Sequence, residues 1–167
     1  MKKLIALFAA IVLVSGFTTV SAQVTATATG SATIITPISI AKNVDLNFGN
    51  VAVGATLGSV VLTPAGTRSI IGGVTLPAVA GTVTAAQFTV SGLGTSTFTI
   101  SLPTTYTITS GVNTMNIDTF TSTPSGVGTL VAGTLIVKVG ATLDVAASQP
   151  AGSYTNATGF PVTVNYN

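Results

Sequence analysis

Apolar and hydroxyl side chains alternate strictly in the stretch Thr97-Phe98-Thr99-Ile100-Ser101-Leu102. The same period of two recurs in Tyr106-Thr107-Ile108-Thr109 and in the closing residues 160–166. Successive side chains of a β-strand point to opposite faces, so this pattern predicts strands with one face on a core and the other in water. Threonine suits the wet face because it is β-branched, polar and uncharged.

The rest of the chain repeats this pattern between turn signals. Clusters such as Pro64-Ala65-Gly66 and Pro150-Ala151-Gly152 separate the runs, and no sustained helical spacing follows residue 22. Short alternating runs separated by such turns predict an all-β protein: a single antiparallel, immunoglobulin-like β-sandwich over residues 37–167. The candidate strands are 32–40, 44–48, 58–63, 68–75, 86–90, 95–102, 105–109, 114–121, 128–139, 142–146 and 160–166.

Composition excludes most catalytic and ligand-binding chemistry. The 167 residues include 5 Lys and Arg, 3 Asp and Glu, no His and no Cys. The chain therefore lacks a thiol nucleophile, an imidazole base and the ligand sets of zinc, haem and iron–sulfur sites. A formal charge of +2 cannot neutralise a run of phosphates, so nucleic-acid binding is not expected. We predict that the protein is not an enzyme and binds no cofactor or metal.

Three aspartates are the only acidic side chains. Asp45, Asp118 and Asp144 are far apart in the sequence, and none lies in a calcium-loop pattern. A two-carboxylate hydrolase would need two of them to converge in the fold. The simpler interpretation places each at a strand end or turn, where it bonds nearby backbone amides.

Residues 1–22 have the features of a secretory signal peptide. Two lysines precede the apolar run from Leu4 to Val14, and Val20-Ser21-Ala22 offers small residues before a cut. We expect cleavage before Gln23, export through the periplasm, and a final location outside the cell or on its surface. Removing the two signal-peptide lysines leaves three cationic side chains against three aspartates, so the mature side-chain charge is zero.

Several short motifs occur in the order found in one bacterial secreted family. They are Asp45-Leu46-Asn47-Phe48-Gly49, Phe88-Thr89-Val90-Ser91-Gly92, Val139-Gly140-Ala141-Thr142-Leu143, Gln149-Pro150-Ala151-Gly152-Ser153-Tyr154 and Val162-Thr163-Val164-Asn165-Tyr166-Asn167. Over residues 32–167 the chain resembles the family catalogued as domain of unknown function 4402. That family has no assigned activity, so the resemblance implies fold and secretion rather than a role.

The C-terminal strand also resembles that of chaperone–usher pilins. Tyr166 is penultimate, and Gly152 lies upstream, slightly farther from the end than in pilins. The apolar face before Tyr166 is formed by Phe160, Val162 and Val164. The resemblance implies an incomplete sandwich that a donor strand from a neighbouring subunit completes by edge addition. It also implies a periplasmic chaperone and an outer-membrane usher as partners.

The N-terminal extension 23–36 is the candidate donor strand, although residues 32–40 could instead form the protein's own first strand. Candidate subunit-interface residues are Val24, Ala26, Ala28 and Ile34 in the extension, and Phe160, Val162, Val164 and Tyr166 near the C-terminus. Zero net charge and uncharged sheet edges favour contact between copies. The sequence thus predicts a homopolymer, a structural subunit of a pilus-like filament. The alternative is a monomeric secreted or surface-associated sandwich that binds a protein or glycan partner.

Overall fold

The computed structural model describes residues 22–167, and every regular element in that range is a β-strand. The predicted signal sequence lies outside the described residues, except for Ala22 at its end. The strands are β1 (Ser39–Val44), β2 (Ala52–Leu62), β3 (Arg68–Thr75), β4 (Ala86–Ser91), β5 (Thr97–Ser101), β6 (Thr105–Ser110), β7 (Asn113–Thr123), β8 (Val127–Thr129), β9 (Thr134–Val145) and β10 (Thr163–Tyr166). All strand pairs are antiparallel, which confirms the predicted all-β sandwich.

The chain divides into two units, one ending at Ile34 and the other comprising Ile35–Asn167. In the first unit, residues 22–34 contain no strand and their side chains are exposed. The predicted strand 32–40 is therefore wrong over most of its length, because β1 begins only at Ser39. Pro37 has no amide hydrogen to donate to a ladder, which delays the start of the strand.

Strand β9 lies at the centre of a seven-stranded sheet. Along one edge of β9, the first half pairs with β4 and the second half pairs with β2. Along the other edge, β9 pairs with β7. Strand β1 extends this sheet beyond β4, β3 extends it beyond β2, and β6 extends it beyond β7. A second, smaller sheet has the order β10-β5-β8. The predicted strand 44–48 is absent, since β1 ends at Val44 and Asn47 makes only an isolated bridge to Thr84.

Two groups of buried apolar side chains form the core. We call the first the inter-sheet core, because it joins β4 and the first half of β9 to the small sheet; it contains Ala86, Phe88, Val90, Phe98, Ile100, Leu130, Val137, Val139 and Val164. We call the second the loop-covered core; it contains Phe48, Val60, Leu62, Val74, Met115, Ile117, Ala141, Leu143 and Val145. No buried member of the loop-covered core comes from the small sheet. The small sheet therefore covers only part of the larger one.

A β-bulge in β7 sets which side chains reach the core. The register of β7 against β9 shifts between Asp118 and Thr121. Within the bulge Thr119 has a φ of 47°, a left-handed conformation that is rare for a β-branched residue. The extra residue changes the parity, so that Ile117 faces inward before the bulge and Phe120 faces inward after it.

The break within residues 128–146 falls at a different place from the predicted one. The predicted strands 128–139 and 142–146 leave a break at residues 140–141, whereas the chain turns at Ala132 and Gly133. Both turn residues have positive φ, 50° and 82°, as a two-residue hairpin of type I′ requires. Gly140 lies within β9. A Cβ there would be 2.2 Å from the carbonyl oxygen of Leu62, which explains why this position is glycine. This glycine permits a close approach of two backbones rather than a turn.

Candidate functional site

The part of the larger sheet that the small sheet does not cover carries a groove of about 1410 Å³. Its floor is apolar and includes Met115 and Ile117 of β7 and Leu143 and Val145 of β9. Pockets for small ligands usually measure roughly 300–1,000 Å³. The groove exceeds this range, and its floor side chains are each at most 9% exposed.

The first wall of the groove is the segment 45–53, which comprises the connection between β1 and β2 and the first two residues of β2. Phe48 anchors this wall, because its side chain is buried in the loop-covered core. The next residue, Gly49, has a φ of 69°, and a Cβ there would lie 2.3 Å from the carbonyl oxygen of Ala80. Its amide donates to the Oδ1 atom of Asn47 at 2.8 Å. Only glycine fits this turn, which explains the last position of the motif that begins at Asp45.

Arg68 of β3 braces the first wall from outside. Its guanidinium group donates one hydrogen bond to the carbonyl oxygen of Phe48 and another, at 2.9 Å, to that of Asn50. Hydrogen bonds from a charged donor are stronger than those between neutral groups. Arg68 therefore holds the curved backbone of the wall against the sheet.

The second wall is the segment 149–162, which joins β9 to β10. Thr155 in this wall pairs with Thr109 of β6. The hydroxyl of Tyr106 donates to the carbonyl oxygen of Asn156 at 3.0 Å, and the amide of Asn156 donates back to a β6 carbonyl at 2.8 Å. Partial burial raises the pKa of Tyr106, so its hydroxyl stays protonated as a donor.

A buried glutamine fixes the start of the second wall. The side-chain amide of Gln149 donates to the carbonyl oxygen of Thr114 at 3.1 Å and to the hydroxyl of Tyr154 at 2.9 Å. That hydroxyl in turn donates to the carbonyl oxygen of Pro150 at 2.7 Å. The motif 149–154 is therefore a hydrogen-bonded turn.

The predicted strand 160–166 forms only over Thr163–Tyr166, so Val164 and Tyr166 lie in β10 and Phe160 and Val162 precede it. Val164 is buried in the inter-sheet core, whereas Phe160, Val162 and Tyr166 are half-buried, and the residues between them are exposed. Strand β10 pairs with β5 along one edge. Among the described residues, its other edge makes no backbone hydrogen bond.

Phe160 links the two core groups at the groove. Its ring lies 6.3 Å from that of Phe88, 5.8 Å from that of Tyr106 and 5.0 Å from that of Phe120, measured between ring centroids. Two of these pairs are edge-on, an arrangement that aromatic rings prefer over direct stacking. The remaining exposed part of Phe160 lines the groove.

Tyr166 ties the C-terminal strand to the residues that precede β1. Its hydroxyl accepts a hydrogen bond from the amide of Leu93 at 2.7 Å and donates one to the carbonyl oxygen of Thr36 at 2.9 Å. A Cβ on Gly92 would lie 2.3 Å from this hydroxyl, so glycine is required there. The penultimate tyrosine thus fixes the point at which the N-terminal extension joins the sandwich.

The four N-terminal candidates lie in the other unit. Val24 and Ile34 are 92% and 95% exposed, and Ala26 and Ala28 are also exposed. Exposed apolar side chains on a segment without secondary structure have no partner within that segment.

Two of the three aspartates converge on the outer face of the larger sheet. Asp144 of β9 pairs with Asn116 of β7, and Asp118 pairs with Thr142, which makes the two aspartates diagonal neighbours. Both lie within strands, not at strand ends as the sequence suggested. Burial, and then the charge of Asp118, raises the pKa of Asp144. Neither carboxylate lines the groove, and Asp45 forms an exposed ion pair with Lys42.

The described part of the chain contains no cluster of three or more residues of the metal-ligating types His, Cys, Asp and Glu. No helix in residues 22–167 has the length and apolar character needed to span a membrane.

These features define an antiparallel β-sandwich with a partly covered larger sheet and a braced apolar groove. Residues 38–166 match the family described as Domain of unknown function (DUF4402), and the chain belongs to that family. The match confirms the family predicted from the motifs. It includes both groove walls and β10 and starts after the extension. Neither a curated protein nor a solved structure matches the chain.

Proposed function

We propose that the protein is a structural subunit of an extracellular filament whose copies are joined by β-strand complementation. The observation that carries this proposal is the groove: the small sheet stops short and leaves an apolar floor between two braced walls. A strand laid in such a groove adds main-chain hydrogen bonds to free sheet edges and buries alternate side chains. Among the edge strands, β1 lines the groove through Ile40, Lys42 and Val44, and its free edge makes no backbone hydrogen bond in the described part of the chain.

The N-terminal extension has the properties of the inserted strand. Residues 23–36 carry no charge, and their apolar side chains are exposed. Fully extended, this segment spans up to about 45 Å. Complete burial of Ile34 alone would contribute about 1.5–3 kcal/mol.

The start of the sandwich favours exchange between copies over insertion into the same molecule. Strand β1 runs from the point held by Tyr166 toward the first wall of the groove. The extension would have to reverse direction just before β1 to enter its own groove. Pro37 has a fixed φ and restricts Thr36 to extended conformations, which opposes such a reversal. Head-to-tail contacts that do not close into a ring generate a filament.

This function requires protection of the groove before assembly. A neutral chain with free sheet edges is prone to premature pairing. A periplasmic chaperone that occupies the groove, and an outer-membrane usher that exchanges it for the next subunit, are the expected partners. The protein would then reach the cell surface as a homopolymer.

The test removes the extension and leaves the sandwich intact. A chain that lacks residues 23–34 retains Thr36 and its hydrogen bond to Tyr166. We expect this variant to fold and remain monomeric, whereas the mature chain starting at Gln23 forms filaments visible by electron microscopy. A synthetic peptide of residues 23–36 should raise the melting temperature of the shortened chain, and a peptide with Ile34→Asp should do so far less.

Two results would overturn the proposal. One is filament formation by the shortened chain. The other is a full-length mature chain that stays monomeric at high concentration and yields no filaments. Either result would favour a self-sufficient secreted sandwich that binds a partner through its loops.

A further inference from the structure

We propose that the groove accepts residues 24–34 of a second copy with the even-numbered side chains facing its floor. This inference rests on the proposed function and specifies which face of the inserted strand the groove binds. The arguments are the side-chain pattern of the extension and the close packing of the groove floor.

The side chains of the extension alternate over its whole length. The even positions are Val24, Ala26, Ala28, Gly30, Ala32 and Ile34, and the odd positions up to 33 are Thr25, Thr27, Thr29, Ser31 and Thr33. As a strand, this segment has one face of small apolar residues and one face of hydroxyl groups. The two faces make opposite demands on their surroundings.

The groove floor suits the small apolar face because the floor is already closely packed. Ile117 and Leu143 are each only 4% exposed, and Met115 is 9% exposed. Tyr106 and Phe160 lie at its side and are half-buried. Methyl groups let a strand lie close to such a packed surface, whereas longer side chains would hold it away. The larger Val24 and Ile34 stand at the two ends of the segment.

The opposite orientation would bury hydroxyl groups on an apolar floor. The floor side chains Met115, Ile117, Leu143 and Val145 offer no strong hydrogen-bond partner. Burial of a hydroxyl without a partner is costly, and the odd face carries five of them. If the even-numbered side chains face the floor, the hydroxyl groups of the odd-numbered residues remain in water. Threonines of the sandwich strands are exposed to water in the same way.

Cysteine cross-linking tests the orientation directly, because the natural chain contains no cysteine. One cysteine replaces Ile108, which lines the groove from β6, or in a second series Val51, which lines it from the first wall. A second cysteine is placed at each position from 25 to 33 in turn. A disulfide needs Cβ atoms about 3.5–4.5 Å apart, so only side chains that face the groove can form one.

We expect oxidation of assembled filaments to give covalent ladders only for cysteines at the one or two even positions nearest each groove cysteine, and little or none at odd positions. Filaments are first verified under reducing conditions for every variant. Filaments whose ladders come from odd positions, equally from both parities, or from neither groove cysteine would overturn this inference and leave the proposed function standing. A failure of the unmodified mature chain to form filaments would overturn both.

A pair of substitutions tests the size argument without altering the sandwich. Ala28→Leu enlarges the face proposed to lie on the floor, and Thr27→Leu makes a matched change on the opposite face. Both positions are exposed in the extension, so neither change should shift the melting temperature of the monomer. We expect Ala28→Leu to lose most filament assembly and Thr27→Leu to retain it. Equal assembly by the two variants, or loss with Thr27→Leu alone, would contradict the inference.

Discussion

Replacing Val164 by alanine tests how the C-terminal strand contributes to the fold. Val164 is 8% exposed and lies in the inter-sheet core. Its neighbour Thr163 is exposed and pairs with Ser101 of β5, and Val162 is half-buried at the groove. Three Xaa→Ala substitutions within three residues therefore sample a buried, a half-buried and an exposed side chain.

The expected magnitudes follow from burial. Val164→Ala removes two buried methyl groups, worth about 0.8 kcal/mol each, and the unfilled space adds to this, for a total of about 2 kcal/mol. Val162→Ala should cost about 1 kcal/mol in the monomer, because half of its side chain already contacts water. Thr163→Ala should cost less than about 0.5 kcal/mol. In a filament, Val162 would contribute more, because an inserted strand would cover its exposed half.

Equilibrium urea denaturation of the mature chain measures these differences, at concentrations where the midpoint does not change on dilution. With a slope near 2 kcal/mol per molar urea, Val164→Ala should lower the midpoint by about 1 M. If Thr163→Ala proves as costly as Val164→Ala, the strand has the opposite face inward. A slip of one residue would reverse every side chain of β10, and the reasoning about the groove would fail with it.

Three further predictions concern the groove walls and the outer face. Gly49→Ala should destabilise the protein by about 2 kcal/mol more than Gly66→Ala, because both glycines have positive φ but only Gly49 would clash with backbone; thermal unfolding measures the difference. Arg68→Met should cost about 1.5–3 kcal/mol in urea denaturation through loss of its two wall contacts, whereas Lys138→Met on the exposed face should change stability by less than about 0.5 kcal/mol. The raised pKa of Asp144 means that the folded state holds its proton to higher pH than the unfolded chain, so this carboxyl favours folding at low pH and that contribution is lost as pH rises through the carboxyl range. Asp144→Asn should flatten this part of the stability–pH curve, and an unchanged slope would contradict the assignment.

The sequence predicted the strands well where alternation was regular. Strand β3 has the predicted bounds, Arg68 to Thr75, and the apolar face of residues 160–166 has the predicted parity. Prediction failed where an unusual residue occupies a turn or bulge. Ala132 takes the left-handed position usually held by Asn or Asp, and Thr119 takes a conformation that β-branched residues avoid. Only the tertiary pairing of neighbouring strands can impose such conformations.

The groove could be predicted only in part. The apolar residues near the C-terminus could be recognised because they alternate with polar ones. The walls of the groove, however, are loops held by contacts between residues far apart in the sequence. Arg68 binds carbonyl groups of the first wall that lie 20 and 18 residues earlier in the sequence. Gln149 binds the carbonyl group of Thr114, 35 residues earlier. No periodicity encodes such contacts. The one available signal was the presence of both wall segments among the family motifs.

Specific contacts hold the walls of the groove in place, which indicates that the groove is a formed feature of the fold and not a packing defect. Leu46, Val51 and Tyr154 of the two walls pack against the loop-covered core, whose buried members are at most 9% exposed. The walls are held in place by a tight glycine turn, an arginine and a buried glutamine. The proposed insertion of a strand from another copy would account both for the braced walls and for an exposed segment whose alternate residues are small and apolar.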